Sequence, residues 1–444
     1  MRQTGRERAF GPPSAEAYLS ARAHLGIKFG LAGIRALTKA MGHPERAYPC
    51  LLVAGTNGKG SVVAYADAML RASGLKVGRY TSPHLVRVNE RITIGGQEIG
   101  QARLETTIAR VRQAAERLVR SGELVDHPTY FEALTAAAFD HFRRERVQVA
   151  VLEVGMGGRL DATNVCRPLA SAIVSIARDH EAYLGKSLAA IAREKAGVLR
   201  RGRVTILGPL QDSARRAVAL EAERVGARLI DARSQVRLQP GGRGVDIESP
   251  FHAYRNLRPL PGRHQLDNLL VALRLAEAAA AAGLPFDPAR VPGAIAGTRW
   301  PGRLQWIPGR PRLLLDGAHN PAGATALAEY LRPLGPFVLV FGAMADKDLG
   351  ELAGVLFPLA RDIVLTRPTV ERAALPEEIA ARAGTLAQRA YREPDPGQAL
   401  ALARRLAGGE GLVVVAGSLY LVGEVTKRLK ARPRKRQRRV QSPP

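Results

Sequence analysis

The chain has 444 residues, 46% hydrophobic, 24% charged and 5% aromatic, with a formal net charge of +26. That length exceeds one hydrophobic core, and the composition is that of a folded globular protein rather than a disordered or fibrous one. No apolar run reaches the roughly 18 residues of a membrane span, Met1–Arg8 lacks the apolar stretch of a signal peptide, and Cys50 and Cys166 offer neither a disulfide framework nor metal-ligand spacing, so a cytoplasmic location is expected.

The first element with chemical content begins at Leu51. Leu51, Leu52, Val53 and Ala54 read as a buried strand, Gly55, Gly58 and Gly60 punctuate a tight loop, and an amphipathic helix with Val62, Ala66, Met69 and Leu70 on one side follows. Strand, glycine loop and helix N-terminus make an anion site, because exposed backbone N–H groups and the helix dipole both favour phosphate. Thr56, Asn57, Gly58 and Gly60 supply the cradle, Lys59 would reach the outer phosphates, and the Ser61 hydroxyl would sit on a magnesium ion. The ordinary P-loop has glycine where this chain has Val53, and its lysine precedes the hydroxyl residue directly, whereas Gly60 separates Lys59 from Ser61. That departure points away from motor ATPases and GTPases.

Strand and helix signals then alternate. Apolar runs at 148–154, 172–176 and 204–207 predict strands, and 133–142 and 188–196 predict helices, which together imply a parallel sheet covered by helices. Glu153 falls at a carboxyl-terminal strand end, where parallel sheets place ligands and where a carboxylate can share magnesium with a P-loop hydroxyl. His180, in Ser175-Ile176-Ala177-Arg178-Asp179-His180, follows another strand, expected to neighbour the one ending at Glu153. By spacing alone, Lys195 in Glu194-Lys195-Ala196-Gly197 is an exposed helical lysine. A polar, glycine-rich turn is expected near 239–246, a helix over 266–282 with Asn268 in its first turns, and a linker over 297–303 containing Trp300-Pro301-Gly302-Arg303.

Beyond the linker the alternation restarts, with strands at 313–316, 337–341, 362–366 and 412–416 and helices at 322–331, 349–359 and 398–406. Asn320 followed by Pro321 is a helix N-cap with proline at the first helical position. Capping leaves Asp316 and His319, in Asp316-Gly317-Ala318-His319, unexplained, and both are expected to face a cleft between domains. The domains expected are 1–297 and 298–426, with a disordered basic tail at 427–444 holding nine cationic residues. Even without that tail the body is basic, which suits anionic substrates.

Gly55-Thr56-Asn57-Gly58-Lys59-Gly60-Ser61, Thr81-Ser82-Pro83-His84-Leu85 with Glu90-Arg91-Ile92, Gly155–Asn164, Asp179-His180, Glu194–Gly197, Gly262–Asn268 and Asp316–Pro321 together resemble the folylpolyglutamate synthase and dihydrofolate synthase family of the Mur ligase superfamily. The resemblance implies a P-loop parallel-sheet ATPase domain of Mur-ligase type plus a smaller C-terminal α/β Rossmann-like domain. It implies ATP-dependent addition of L-glutamate to dihydropteroate, to reduced folates such as tetrahydrofolate, or to both, through an acyl phosphate. By similarity Ser61, Glu153 and His180 are magnesium ligands, with two Mg2+ ions expected, and Lys195 is the lysine carboxylated on its Nζ (carbamylated) in relatives. Also by similarity, Asn268 and Arg303 contact nucleotide, Asp316 and His319 hold ATP and the incoming glutamate, and Ser82 and Ser418 lie near substrate. Lys59, Lys195, Asp316 and His319 form the expected catalytic set. The alternatives are a Mur-type ligase acting on a cell-wall precursor and a nucleic-acid-stimulated P-loop ATPase. A monomer is expected, with no membrane association and no specific nucleic-acid partner, although the tail could contact RNA nonspecifically.

Overall fold

The computed structural model describes residues 14–22, 26 and 30–431. The backbone divides into two compact units, one up to Arg299 and one from Trp300 onward. No helix among the described residues is long and apolar enough to cross a membrane.

The first unit is built on eight strands: β1 (Cys50–Ala54), β2 (Val77–Tyr80), β3 (Ile92–Ile94), β4 (Gln97–Glu98), β5 (Val149–Glu153), β6 (Ala170–Ile173), β7 (Val204–Leu207) and β8 (Arg228–Asp231). Their order in the sheet is β4-β3-β2-β5-β1-β6-β7-β8. The six strands from β2 to β8 run parallel, and β3 and β4 add an antiparallel edge. Every residue of β1 and β5 is buried, as expected where helices cover both faces of a parallel sheet. Side-chain alternation sends Cys50, Leu52 and Ala54 into one core with Phe139 and Phe142, and Leu51 and Val53 into the opposite core with Met69 and Leu270.

Two expectations are corrected here. The helix after the glycine loop, Lys59–Ala72, is buried continuously from Ser61 to Leu70 rather than amphipathic. It packs in the same core as the helix His264–Ala281, so it has no face for solvent. The strand leading to His180 also does not neighbour the strand ending at Glu153: β1 lies between β6 and β5. The P-loop strand therefore sits at the centre, with a candidate ligand loop on each flank.

The turn expected near 239–246 joins β9 (Arg237–Pro240) and β10 (Val245–Glu248), which pair antiparallel and form a small sheet with β11 (Ala253–Leu257). Strands β2, β4 and β8 carry glycine or charged residues in place of an apolar run and β3 has only three residues, so these four give no strand signal in the sequence.

The second unit holds β12 (Gln305–Ile307), β13 (Arg312–Leu315), β14 (Val338–Phe341), β15 (Asp362–Leu365), β16 (Tyr391–Arg392) and β17 (Leu412–Ala416) in the order β12-β13-β17-β14-β15-β16. All pair parallel except the edge strand β12. Leu314, Leu339, Phe341 and Val414 meet Leu327, Leu331 and Leu352 in its core. The final helix, Leu419–Ala431, runs through Lys427, Arg428 and Lys430, so a disordered tail does not begin at Lys427. The rest of that basic segment, 432–444, lies outside the described residues.

Candidate active site

The phosphate-binding loop is held from the side by the segment after β6. Thr56 donates its backbone N–H to the Ser175 carbonyl at 2.8 Å, and its hydroxyl donates to the Ala177 carbonyl at 3.1 Å. Asn57 donates its N–H to Ser175 Oγ at 2.9 Å, and that hydroxyl donates back to the Asn57 carbonyl at 2.9 Å. His180 follows three residues after Ala177, with a left-handed backbone at φ 52°, and its N–H donates to Asp179 Oδ1 at 2.9 Å. The pairing of the two loops therefore brings the Asp179-His180 motif to the same end of the sheet as the glycine loop.

Gly58 caps the helix Lys59–Ala72 at φ +83°, a conformation that L side chains rarely adopt. A Cβ there would lie 2.9 Å from Val174 Cγ1 and closer still to Asn268 Oδ1. Gly58→Ala is expected to weaken ATP binding at least about tenfold, because both the backbone strain and the clash must be relieved by moving the loop. Nucleotide titration of the purified variant checks this, and unchanged affinity would show that the cradle tolerates a side chain.

Ser61 is 2% exposed, and its hydroxyl accepts from Gln265 Nε2 at 3.2 Å, while Asn268 Nδ2 donates to Gln265 Oε1 at 3.1 Å. Gln265 thus ties the expected metal-ligating hydroxyl to the expected nucleotide-contacting amide. It was not picked out from the sequence, although its three-residue spacing from Asn268 at a helix start places both on one face.

Glu153 ends β5 in register with Val53 of β1, is 5% exposed, and accepts the Ser82 N–H at 3.2 Å. Ser82 opens a loop organised by Glu90, whose carboxylate accepts the N–H groups of Leu85, Val86 and Arg87 at 2.7, 3.1 and 3.0 Å. In the same loop Arg91 Nε donates to His84 Nδ1 at 2.9 Å. Burial and the adjacent Arg91 charge push the His84 pKa down to about 4, so this imidazole is a neutral acceptor near neutral pH.

Lys195 is not the exposed helical lysine that spacing implied. It is 3% exposed, and its Nζ donates to the Gly55 carbonyl at 3.0 Å. Lys59 donates to the same carbonyl at 3.0 Å and to the Thr56 carbonyl at 3.1 Å. Burial, and then the neighbouring Lys59 charge, lower the Lys195 pKa to about 7, with Asp179 and Asp161 opposing. The helix Leu188–Ala196 can bury this lysine because Gly158 and Gly197 let the 155–164 loop close against it. A Cβ on Gly158 would meet the Glu194 and Lys195 carbonyls at 2.8 Å.

The second unit gathers its own group. Gly317 N–H donates to the Gly302 carbonyl at 2.9 Å and Gly417 N–H to the Ala318 carbonyl at 3.0 Å, which brings Arg303, Asp316, His319 and Ser418 to one end of the sheet. Asp316, 7% exposed, accepts from Leu304 N–H at 2.8 Å and Ala318 N–H at 2.9 Å. His319 Nδ1 donates to the Gly317 carbonyl at 2.8 Å, which fixes the orientation of the ring. The Arg303 guanidinium lies across Gly317, where a side chain would collide with it. Asn320 caps its helix by accepting the Gly323 N–H at 2.9 Å, with Pro321 following. Ser418 is 2% exposed and accepts from Tyr420 N–H at 3.0 Å.

Hydroxyl and carboxylate oxygens at Ser61 and Glu153 suit a hard divalent cation. Among the described residues no three His, Cys, Asp or Glu side chains converge as a self-sufficient metal cage. The donor set therefore fits an ion that also takes phosphate or water oxygens.

Residues 53–276 match the Mur ligase middle domain and residues 302–419 the glutamate ligase domain of Mur ligases. The dihydrofolate synthase/folylpolyglutamate synthase of Bacillus subtilis is 32% identical over 428 residues, covering 94% of this chain and 98% of the relative. The Mycobacterium tuberculosis folylpolyglutamate synthase complexed with ADP superposes with a TM-score of 0.87 at 32% identity, covering 94% of this chain and 98% of that one. Escherichia coli FolC in complex with DHPP and ADP gives 0.84 at 30% identity with the same coverage. A bifunctional folylpolyglutamate synthase/dihydrofolate synthase with Mn, AMPPNP and L-glutamate bound gives 0.83 at 30% identity, again covering 94% and 98%.

Proposed function

The chain belongs to the folylpolyglutamate synthase and dihydrofolate synthase family of Mur ligases, and from that premise we propose the division of labour among its residues. It is an ATP-dependent ligase of folate metabolism that joins L-glutamate to a pteroate or folate carboxyl group. The observation that carries the assignment of roles is the convergence of Lys59, Lys195 and the Gly55 carbonyl beside Ser61, Gln265 and Asn268.

In the reaction, a carboxylate oxygen attacks the γ-phosphorus of ATP and ADP departs. The amine of glutamate then attacks the acyl carbon and inorganic phosphate departs. Thr56 to Ser61 present backbone N–H groups and the Lys59 ammonium to charge developing on the transferred phosphoryl. Asn268, held by Gln265, and Arg303 contact the nucleotide. Asp316 keeps the Leu304 and Ala318 backbones in place, so that His319, its ring held by the Gly317 carbonyl, orients ATP and the incoming glutamate. Ser82 and Ser418 border the substrate. Ser61, Glu153 and His180 would hold magnesium, which when bound neutralises phosphate charge. Two ions are expected. Lys195, as a carbamate, would turn a buried amine into an oxygen-bearing anion. Dihydropteroate and reduced folates are both proposed acceptors.

The test measures ATP-dependent incorporation of labelled glutamate into dihydropteroate and tetrahydrofolate in parallel. Incorporation into both supports the bifunctional reading and incorporation into one narrows it. Failure with both, alongside ADP release in the presence of a UDP-linked peptide, overturns it.

A further inference from the structure

We propose that a cationic cavity on the first unit binds the free carboxylates of an oligo-γ-glutamyl chain, and so governs how this ligase handles substrates that already carry several glutamates. The proposal rests on the function given above.

The cavity measures about 590 Å3 and lies between the helix Ala32–Ala40, the turn Pro44–Arg46, the segment 159–167 and Arg200. Its walls carry Arg35, Lys39, Arg46, Arg159, Arg167 and Arg200, against a single carboxylate, Glu45. Some of this charge is already engaged. Glu45 Oε1 is shared by His43 Nδ1 at 3.0 Å and Arg46 Nε at 3.1 Å, Arg159 pairs with Glu194 at 2.7 Å, and Arg200 donates to Asn164 Oδ1 and to the Gly197 and Leu199 carbonyls. Arg35, Lys39 and Arg167 are exposed, and their side chains have no hydrogen-bond or ion-pair partner among the described residues. Arg35 and Lys39 stand four residues apart on one helix face, where like charges repel. An anion seated between them and Arg167 removes that repulsion.

The chemistry of the product selects the anion. The reacting carboxyl is at the end of the glutamyl chain, so each turnover leaves one more fixed α-carboxylate behind it. These charges must be accommodated away from the reacting end, and guanidinium groups match carboxylates in paired hydrogen bonds. The cavity opens where β1 and β6 begin, at the end of the sheet opposite the phosphate loop, so a chain of several glutamates would run along the 155–164 loop to reach it. The loop forming one wall also packs against the Lys195 helix: Arg159 N–H donates to the Glu194 carbonyl at 2.8 Å, and Asn164 Nδ2 donates to the Gly197 carbonyl at 2.9 Å.

The experiment uses the full chain and the triple variant Arg35→Gln, Lys39→Gln, Arg167→Gln, whose exposed positions leave the core intact. Its thermal transition should match that of the parent. KM and kcat are measured with tetrahydrofolate bearing one and five glutamates, and a γ-linked glutamate pentamer lacking the pteridine is titrated directly. The variant should raise KM for the pentaglutamate form at least about tenfold, as expected for a lost charge-assisted contact. Its monoglutamate KM and both kcat values should hold, and the difference should shrink at high salt. Equal changes with both substrates, no change with either, or tighter binding of an RNA oligonucleotide than of the pentamer would overturn the proposal. Absence of monoglutamate activity in the parent would instead defeat the underlying functional reading.

Discussion

Lys59→Ala is expected to lower turnover at least about 10³-fold, the usual cost of removing a group that meets charge developing in the transition state. Lys59 is the first residue of its helix, and its Nζ lies on the carbonyls of Gly55 and Thr56. Those carbonyls hold the ammonium at the mouth of the loop, where the backbone N–H groups and the helix N-terminus converge on an anion. Alanine keeps the helix start, so the thermal transition should move little while single-turnover phosphoryl transfer collapses. Lys59→Arg should not restore it, because a planar guanidinium cannot take the place of a point charge in so narrow a cradle. Near-normal single-turnover rates in Lys59→Ala would remove the loop from the mechanism.

Lys195→Ala is expected to be inactive, losing turnover on the same scale of about 10³-fold, and to recover part of it with formate or acetate. The parent amine is buried, donates to Gly55, and has its pKa drawn down to about 7 by burial and by Lys59. Above that pH it is mainly neutral, the form that attacks carbon dioxide: an N–C bond forms, one proton leaves to water, and a carbamate anion results. Activation by bicarbonate should therefore rise with pH through about 7. Full activity in bicarbonate-free buffer would exclude the modification.

The same shift has a consequence for folding. The folded-state pKa lies below the ordinary 10.5, so between about 7 and 10.5 the unfolded chain binds more protons than the native one. Stability should rise with pH across that window and be lost as pH falls through it. Denaturant midpoints at pH 7 and pH 9 should differ less in Lys195→Met than in the parent.

The local features were legible because their signals are local. The run Leu51–Ala54 followed by closely spaced glycines specifies a strand entering a tight turn, and the structure has that strand, with Gly58 at positive φ. Asn320 before Pro321 specifies a helix start through one side-chain acceptor and one fixed φ, and Asn320 caps as expected. Glu153 at a strand end followed from the apolar run before it. These depend on residues within one or two turns of each other.

The arrangement of these pieces was decided in three dimensions. Periodicity marks where strands are but not their order, so nothing in the spacing placed β1 between β5 and β6. Exposure likewise belongs to a residue's neighbours. Lys195 is a charged residue near the end of a short helix, and only the closure of the Gly158 loop over it makes it a buried amine of lowered pKa. The link from Ser61 through Gln265 to Asn268 joins positions 204 residues apart at its longer step. The cationic cavity likewise draws on three separate stretches of chain. Sequence by itself determined the longer helices, the apolar strands, the phosphate loop and the family, because hydrogen-bond geometry and side-chain period act over a few residues. The protonation of the buried lysine and the shape of the binding surfaces came from tertiary structure, because desolvation and charge proximity exist only once distant segments pack together.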